Sequence, residues 1–305
     1  MKQKKRNFYL SLEKGDLLPV LLMLPTLLII FGVMIVPLGY GFMMSLYEVG
    51  FGGNDLGENF RGLNNYLKFF KDMTAKKALL NTIIFSFGAI TGDFFLGTVF
   101  SVMLLKISRK ISVILRPVMT MPLLISPLIV GLIWRYIYDP NGILYWLLNQ
   151  VGLGIKHFPG VTSADTALLS TMIAHWWQVT PFVVIILTAG LLSIPEEYYE
   201  ASRVDGASFG QEFFYITLPL LTNVYMVIFL ISGVDTVKVF DIIYSLTGGG
   251  PNNATVSTSI YAYKQAFELS NLSYAMSISF ITMLVTFLIF GIPFIRHNLK
   301  KAKSY

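Results

Sequence analysis

Six stretches of this chain are each long and apolar enough to cross a lipid bilayer. A membrane-spanning helix needs about 20 mostly apolar residues. The predicted spans cover residues 17–47, 78–105, 113–138, 167–194, 215–246 and 274–295. They predict an all-α fold, a polytopic membrane protein with six transmembrane helices. The first stretch is too long for a cleaved signal peptide, and no small-x-small cleavage site follows it.

The composition agrees with a lipid environment. Hydrophobic residues make up 54% of the 305 residues and charged residues only 13%, whereas soluble domains carry about 25% charged residues. The net charge of +6 does not predict a nucleic-acid partner, because the basic residues flank the apolar stretches as membrane topology requires. The absence of cysteine excludes disulfides and thiolate chemistry. The three histidines are scattered singly and predict no metal site.

Lysine and arginine determine the predicted orientation, because the cytoplasmic ends of spans carry an excess of them. They cluster before the first span, between spans two and three, and after the last span: Lys2, Lys4, Lys5, Arg6 and Lys14; Lys106, Arg109, Lys110 and Arg116; Arg296, Lys300, Lys301 and Lys303. With six spans, these segments share one side. Residues 1–16 and 296–305 are therefore predicted to be cytoplasmic tails, and the connection at 195–214 is predicted to be cytoplasmic too.

That connection, together with its flanks, reads IPEEYYEASRVDGASFGQEFFYITLPLL from Ile194 to Leu221. Pro195 and the acids after it are typical of a helix start, and Gly206 is expected to end the helix after about two turns. Pro219 restricts the chain before span five. The pattern predicts a short amphipathic helix, a glycine bend and a second helical piece. Such a unit would suit docking into a groove on another protein; a solvated connector is the alternative.

The same connection carries a long, ordered motif. Three runs, Glu200-Ala201-Ser202, Asp205-Gly206-Ala207 and Ile216-Thr217-Leu218-Pro219, resemble the EAA loop of bacterial ABC-importer permeases. That family's pattern is E-A-A-x-x-D-G-A followed by I-x-L-P, and only the second alanine differs, being Ser202 here. The resemblance implies a coupling helix that sits in a cleft of a cytoplasmic ATPase. The implied coupling residues are Glu200, Ala201, Ser202, Asp205, Gly206, Ala207, Leu218 and Pro219.

Further motifs resemble the carbohydrate-uptake branch of that family, of the maltose-transporter first-permease type. They are Gly62-Leu63-Asn64-Asn65-Tyr66, Trp134 with Asp139-Pro140 and Gly142, Trp177 with Pro181-Phe182, and Thr247-Gly248-Gly249-Gly250-Pro251. The resemblance implies a type I ABC importer permease in the bacterial cytoplasmic (inner) membrane that moves sugars, expected to be oligosaccharides, by alternating access. The implied partners are a second, homologous permease, a cytoplasmic ATPase dimer and an extracytoplasmic solute-binding protein.

The chain itself is not expected to be an enzyme. It has no G-x-x-x-x-G-K-[ST] loop, so ATP hydrolysis must belong to a separate subunit. We therefore predict no catalytic residue, no metal ligand and no cofactor in this chain; ATP and Mg would be used by the partner ATPase.

Candidate substrate contacts lie in spans four and five. Placing an ionisable residue within a bilayer costs free energy, so Asp235, Lys238 and Asp241 are candidates for function. Their spacing of three would place them on neighbouring ridges of one helix, where they could neutralise each other, and Asp235 is expected to be buried. The resemblance implies sugar contacts at His175, Gln178, Val179, Phe182, Ser232, Asp235 and Thr236. Helix packing is the alternative for each of them, and it is our interpretation of Asp93 in span two.

Several alternatives stay open at this point. Glycerol-phosphate or another polyol is the alternative substrate within the same importer class. A proton-coupled secondary transporter would also carry intramembrane acids, but such carriers often show inverted repeats, and no convincing repeat relates the two halves here. An intramembrane enzyme would need paired ligands of the HExxH type, which are absent from the sequence. A receptor or scaffold would work without any ATPase, whereas an importer permease would not.

Overall fold

The computed structural model describes residues 18–49, 59–152 and 160–302. These residues form helices joined by turns, together with one isolated β-bridge between Tyr47 and Phe60. The predicted N-terminal tail at 1–16 lies outside the described residues. The all-α prediction is confirmed for the part that the structure describes.

Among the described residues, four helices are each long and apolar enough to cross a membrane. Helix α1 consists of Leu18–Ile29, the π-helical turn Ile30–Ile35, and Val36–Ser45; α3 is Met73–Lys106, α7 is Ala164–Leu192, and α13 is Leu272–Ala302. A shorter helix, α2 (Asn64–Lys71), precedes α3.

The ranges predicted as spans three and five contain bent pairs of helices. α4 (Arg109–Thr120) continues through a 3₁₀ turn and meets α5 (Pro127–Ile137) at 98°. α9 (Phe209–Leu220) meets α10 (Thr222–Val237) at 65°. Pro127 contributes to the first bend, because a residue before proline disfavours helical backbone and Ser126 has ψ 136°. If each pair is one span, the described residues hold six spans.

The remaining helices are short: α6 (Ile143–Gln150), α8 (Glu196–Val204), α11 (Asp241–Thr247) and α12 (Thr258–Tyr263), which a π-helical turn extends over Lys264–Glu268. The helix predicted to continue to residue 246 ends at Val237, and α11 begins only at Asp241. The prediction that Asp235, Lys238 and Asp241 share one helix is therefore wrong, because residues 238–240, which include Lys238, are non-helical and separate the helix of Asp235 from that of Asp241.

α3 and α7 form the centre of the bundle and approach closely through small residues. A Cβ at Gly92 would collide with Trp176, and one at Gly97 would lie 2.5 Å from Val183. The Trp176 indole donates to the Ala89 carbonyl at 3.0 Å. Small residues and side-chain hydrogen bonds are the usual means of packing membrane helices, where no hydrophobic effect drives their association.

α10 and the short helix α11 that follows it pack against different parts of this centre. In α10, Ile228 packs with Val183 and Leu187 of α7. In α11, Ile242 packs with Val130 of α5 and Ala174 of α7. Because α10 and α11 have different neighbours, the segment between them becomes a distinct feature of the site.

Candidate functional site: a coupling unit and a broken span

The connection after span four folds as a helix, a bend and a second helix, as predicted. Glu196 and Glu197 occupy the first turn of α8, where acids favour the positive end of the helix dipole. Gly206 has φ +77°, a left-handed backbone that glycine adopts without steric cost. Ser208 then begins α9, and its backbone N–H donates to the Gln211 side chain at 2.7 Å. We call residues 196–217 the coupling unit.

Polar contacts across the bend hold the coupling unit together. Arg203 lies 3.3 Å from Glu212 and 3.6 Å from Glu196, so one guanidinium joins both helices. The Glu212 side chain is only 13% exposed, which makes this the better shielded pair. The Tyr199 hydroxyl pairs with the Thr217 hydroxyl at 3.0 Å. The sequence analysis did not predict these contacts across the bend. Arg203, the one arginine among five acids in this segment, was the feature that could have indicated them.

The predicted coupling residues lie mostly on the surface of the unit. Glu200, Ala201, Asp205 and Gly206 are exposed, as are Leu218 and Pro219 at the end of α9, whereas Ser202 and Ala207 are half-buried. Tyr198 and Val204 add exposed apolar area, at 53% and 87% exposure. The surface of α8 therefore combines acids with uncovered apolar side chains.

The coupling unit also contacts the end of span two. Lys106, the last residue of α3, places its ammonium 3.4 Å from the centre of the Phe209 ring. A cation over an aromatic face is attracted by the ring quadrupole. The unit therefore contacts α3 and also continues into α10.

The polar candidates of span four bond within the chain. His175 Nε2 lies 3.2 Å from Asp93 Oδ2, and the Thr180 hydroxyl donates to the other oxygen of the fully buried Asp93 at 3.4 Å. The Gln178 amide donates to the Ile125 carbonyl at 2.8 Å. The interpretation of Asp93 as a hydrogen-bonding group between packed helices is confirmed. The other two candidates, Val179 and Phe182, are half-buried.

The candidates of span five face different directions. Ser232 and Thr236 are buried, and the Thr236 hydroxyl donates to the Gly233 carbonyl at 2.9 Å. Asp235 instead points away from the bundle and pairs with Lys238 at 3.0 Å, both side chains being about two-thirds exposed (64% and 65%). The prediction that Asp235 is buried is wrong for the isolated chain, while its pairing with Lys238 is confirmed. The structure thus does not gather the seven candidates around one point.

The chain is non-helical from Lys238 to Phe240. Val239 and Phe240 pack against a buried cluster that contains Ala78, Phe85 and Ala89 of the long apolar helix α3, so this break lies within the apolar part of the bundle. Two serine hydroxyls cover its carbonyls, with Ser257 donating to Val239 at 3.3 Å. Irregular backbone within the apolar part of a membrane protein occurs where it is buried in protein or lines a cavity. A cavity of about 440 Å³ beside the break is lined by Lys238 and several hydroxyls.

Residues 93–298 match the family of binding-protein-dependent transport system inner membrane components. The chain belongs to this family. The resemblance to ABC-importer permeases drawn from the EAA-like motif is thereby confirmed. As a family member the chain is a transport component of the inner membrane, and the match begins at Asp93 and includes the whole coupling unit and the broken span.

Similar proteins cover nearly the whole permease. The probable ABC transporter permease protein YurN of Bacillus subtilis is 30% identical over 276 residues, which are 90% of this chain and 94% of that protein. The trehalose/maltose transport system permease protein MalF of Thermococcus litoralis is 33% identical over 87% of this chain and 88% of its own length. A crystal structure of a bacterial ABC transporter that imports the acidic polysaccharide alginate shares the fold, with TM-score 0.81, 20% identity, and coverage of 96% and 99% of the two chains.

Proposed function

We propose that this permease is one membrane subunit of an ATP-driven, binding-protein-dependent importer of sugars. The observation that carries the proposal is the coupling unit, a braced helix pair whose exposed face bears Glu200 and uncovered apolar residues. The trehalose/maltose permease at 33% identity supports the sugar class. So does the multiple sugar-binding transport system permease protein MsmF of Streptococcus mutans, 32% identical over 238 residues.

The partners follow from what the coupling unit and the sequence provide. A short helix with an acidic and apolar surface suits a groove on another protein, and the sequence has no phosphate-binding loop of its own. A cytoplasmic ATPase dimer would therefore receive α8. A second, homologous permease would complete the membrane unit, and an extracytoplasmic solute-binding protein would deliver the sugar. Both termini would then be cytoplasmic.

The substrate path would follow the exposed face of α10. The exposed residues Val227, Ile231 and Asp235 are spaced four residues apart and so share one side of α10, and the exposed Lys238 follows directly after the helix and pairs with Asp235. Charged groups at membrane depth are placed toward a protein interface or an aqueous cavity rather than lipid. We place the second permease and the passing sugar on this face. Ser232, Thr236, His175 and Gln178 would support the path from behind.

Alternating access would start from the coupling unit. Because Arg203 joins both of its helices, the unit would move as one piece when ATP closes the ATPase dimer. The motion would pass through the 65° bend into α10 and through Phe209 to Lys106 of α3. These two connections would change the exposure of the path on one side of the membrane at a time.

Co-purification tests the coupling role. Glu200→Ala should leave the permease inserted but release the ATPase, because losing a buried charged contact at an interface costs about 2–5 kcal/mol. Asp165→Ala removes another exposed acid, from the opposite end of span four, and should retain the ATPase. Equal ATPase recovery with both variants, together with normal uptake, would show that the unit is only a connector.

An ATPase screen tests the substrate class. The reconstituted complex, with its binding protein, should be stimulated by at least one of maltose, trehalose, maltotriose and alginate oligosaccharides. Stimulation by glycerol 3-phosphate alone would favour the polyol-phosphate alternative. Uptake driven by a proton gradient in vesicles that lack the ATPase would overturn the importer proposal.

A further inference from the structure

A cavity of about 280 Å³ lies between α3, α4 and α7, and we call it the α4 cavity. Its walls are almost wholly apolar and include Leu104, Met119, Pro181, Val184, Ile185 and Leu192. Leu104 is two residues from the end of α3, and Leu192 is the last residue of α7. These helices have 34 and 29 residues. Because about 20 residues suffice to cross the apolar core of a bilayer, these ends lie near or beyond the membrane surface.

A buried hydroxyl that lines the cavity has no hydrogen-bond partner among the described residues. It belongs to Thr188, which is 7% exposed. A threonine within a helix can donate to the carbonyl four residues earlier, but the Val184 carbonyl already accepts from the Ser101 hydroxyl at 3.2 Å. A buried polar group that is left unpaired lowers stability. The Thr188 hydroxyl therefore indicates that an acceptor is missing from the cavity.

A positive charge also borders the α4 cavity. Arg116 lines it, is exposed, and makes no ion pair within the described part of the chain. Lys106 and Lys110 belong to the same stretch of sequence, and residues 106–116 contain no acid. The positive charge of this stretch is therefore not neutralised within it. Basic groups between membrane helices, near the membrane surface, are suited to the headgroups of anionic lipids.

We propose that the α4 cavity binds one anionic phospholipid of the phosphatidylglycerol type. An acyl chain would fill the apolar cavity, the phosphate would bond the Arg116 guanidinium, and an ester carbonyl would accept from the Thr188 hydroxyl. Such a lipid matches all three features, because it joins an apolar chain, ester carbonyls and a negative charge in one molecule. A free anion would leave the apolar walls uncovered. α10, whose exposed face we assigned to the second permease, contributes none of the residues that line the cavity.

The test titrates phosphatidylglycerol onto the detergent-purified full chain and follows binding by native mass spectrometry. Arg116→Gln should weaken binding about tenfold and Thr188→Val about threefold, as the loss of a charged and of a neutral hydrogen bond does. Ala189→Phe, which places an aromatic ring in the cavity, should also weaken binding. Lys110→Gln is the matched control. It removes the same charge from the same helix, at about 120° around the axis from Arg116, and should bind within about twofold of the wild type.

Thr188→Val separates a lipid site from a structural role. Removing an unpaired buried hydroxyl should keep or raise the Tm, so weaker lipid binding by this folded variant is the expected result. Wild-type binding by both Thr188→Val and Ala189→Phe would overturn the inference. Equal weakening by Arg116→Gln and Lys110→Gln would overturn it too, because it would indicate diffuse attraction between charges.

Two competing ligands and one assembly complete the test. Phosphatidylcholine with the same acyl chains should bind more weakly than phosphatidylglycerol, and inorganic phosphate should not displace the lipid. Equal affinity for both lipids, or displacement by phosphate, would refute an anionic lipid site. In the complex with the second permease, the lipid that Arg116→Gln removes should still be present. Its absence there would show that protein covers the cavity. Each of these contrary results would leave the proposed function intact, since none of them measures transport.

Discussion

Asp72 joins three segments at the end of the bundle where α3 begins, and its removal should weaken the fold measurably. Oδ1 accepts from the backbone N–H of Thr74 at 2.9 Å and of Ala75 at 3.2 Å, which caps α3. Oδ2 accepts from the hydroxyls of Tyr261 at 2.5 Å and Tyr274 at 2.8 Å. One carboxylate thus holds the start of α3, the segment after span five and the start of α13.

The expected loss in free energy of unfolding follows from the hydrogen bonds that Asp72→Ala removes. Loss of a helix cap costs about 0.5–2 kcal/mol. The fully buried Tyr274 would keep an unpaired hydroxyl, which costs about 1–3 kcal/mol. Tyr261 would retain its hydrogen bond from Gln265 and would therefore add little to the loss in free energy of unfolding. We expect Asp72→Ala to lower the free energy of unfolding by about 2–4 kcal/mol, and Asp72→Asn by about half as much, since the amide keeps one acceptor oxygen.

The effect should depend on pH. Burial raises the pKa of Asp72, but hydrogen bonds from Tyr261, Tyr274, and the N–H groups of Ala75 and Thr74 outweigh it, so the pKa lies below its ordinary value of 3.8. A pKa that is lower in the folded state stabilises the fold above the unfolded value and loses this effect as pH falls through the folded value. The difference between wild type and Asp72→Asn should therefore be full at pH 7 and shrink below pH 3.8.

Unfolding of the detergent-purified permease, followed by tryptophan fluorescence, measures these differences. Asp139→Ala is the matched control, because its exposed carboxylate accepts one backbone N–H, from Asn141 at 2.8 Å. Asp139→Ala should lower the free energy of unfolding by less than about 1 kcal/mol, the net contribution of an ordinary hydrogen bond. If Asp72→Ala unfolds with the same free energy as Asp139→Ala, the assigned role of this carboxylate is refuted.

Two further predictions concern packing and orientation. A Cβ at Gly131 would lie 2.8 Å from the Ile242 carbonyl, so Gly131→Ala should destabilise the permease by about 1–3 kcal/mol in the same unfolding assay, as overpacking does. Gly39→Ala, with no neighbouring atom within 4 Å, should leave it unchanged. In intact cells, Asn252→Cys should react with an impermeant thiol reagent and Ser208→Cys should not; the chain has no native cysteine. External labelling at position 208 would reject the proposed topology.

Local sequence determined the membrane class and the shape of the coupling unit. The length of each apolar stretch can be read directly from the sequence, and a bilayer permits only a few kinds of fold for such stretches. Pro195, the acids after it and Gly206 act within one or two turns, so their effect could be predicted without tertiary contacts. The motif on the same residues also indicated the family before the fold was known.

The tertiary structure decided where the charges of span five point. Hydropathy and spacing describe a helix without saying which side its neighbours cover. α10 turns Gly233 against Phe290, where any Cβ would collide, and Ser232 and Thr236 are buried with it. Asp235 is consequently left on the exposed side.

The break after Val237 was equally invisible in the sequence. No proline or glycine lies in it, and the charged residues Asp235, Lys238 and Asp241 recur every three residues, a spacing that is compatible with one continuous helix. It forms where α11 turns from the neighbours of α10 to pack with α5, while serines from the segment after span five bond the freed carbonyls. Because these partners are distant in sequence, only the folded chain brings them together.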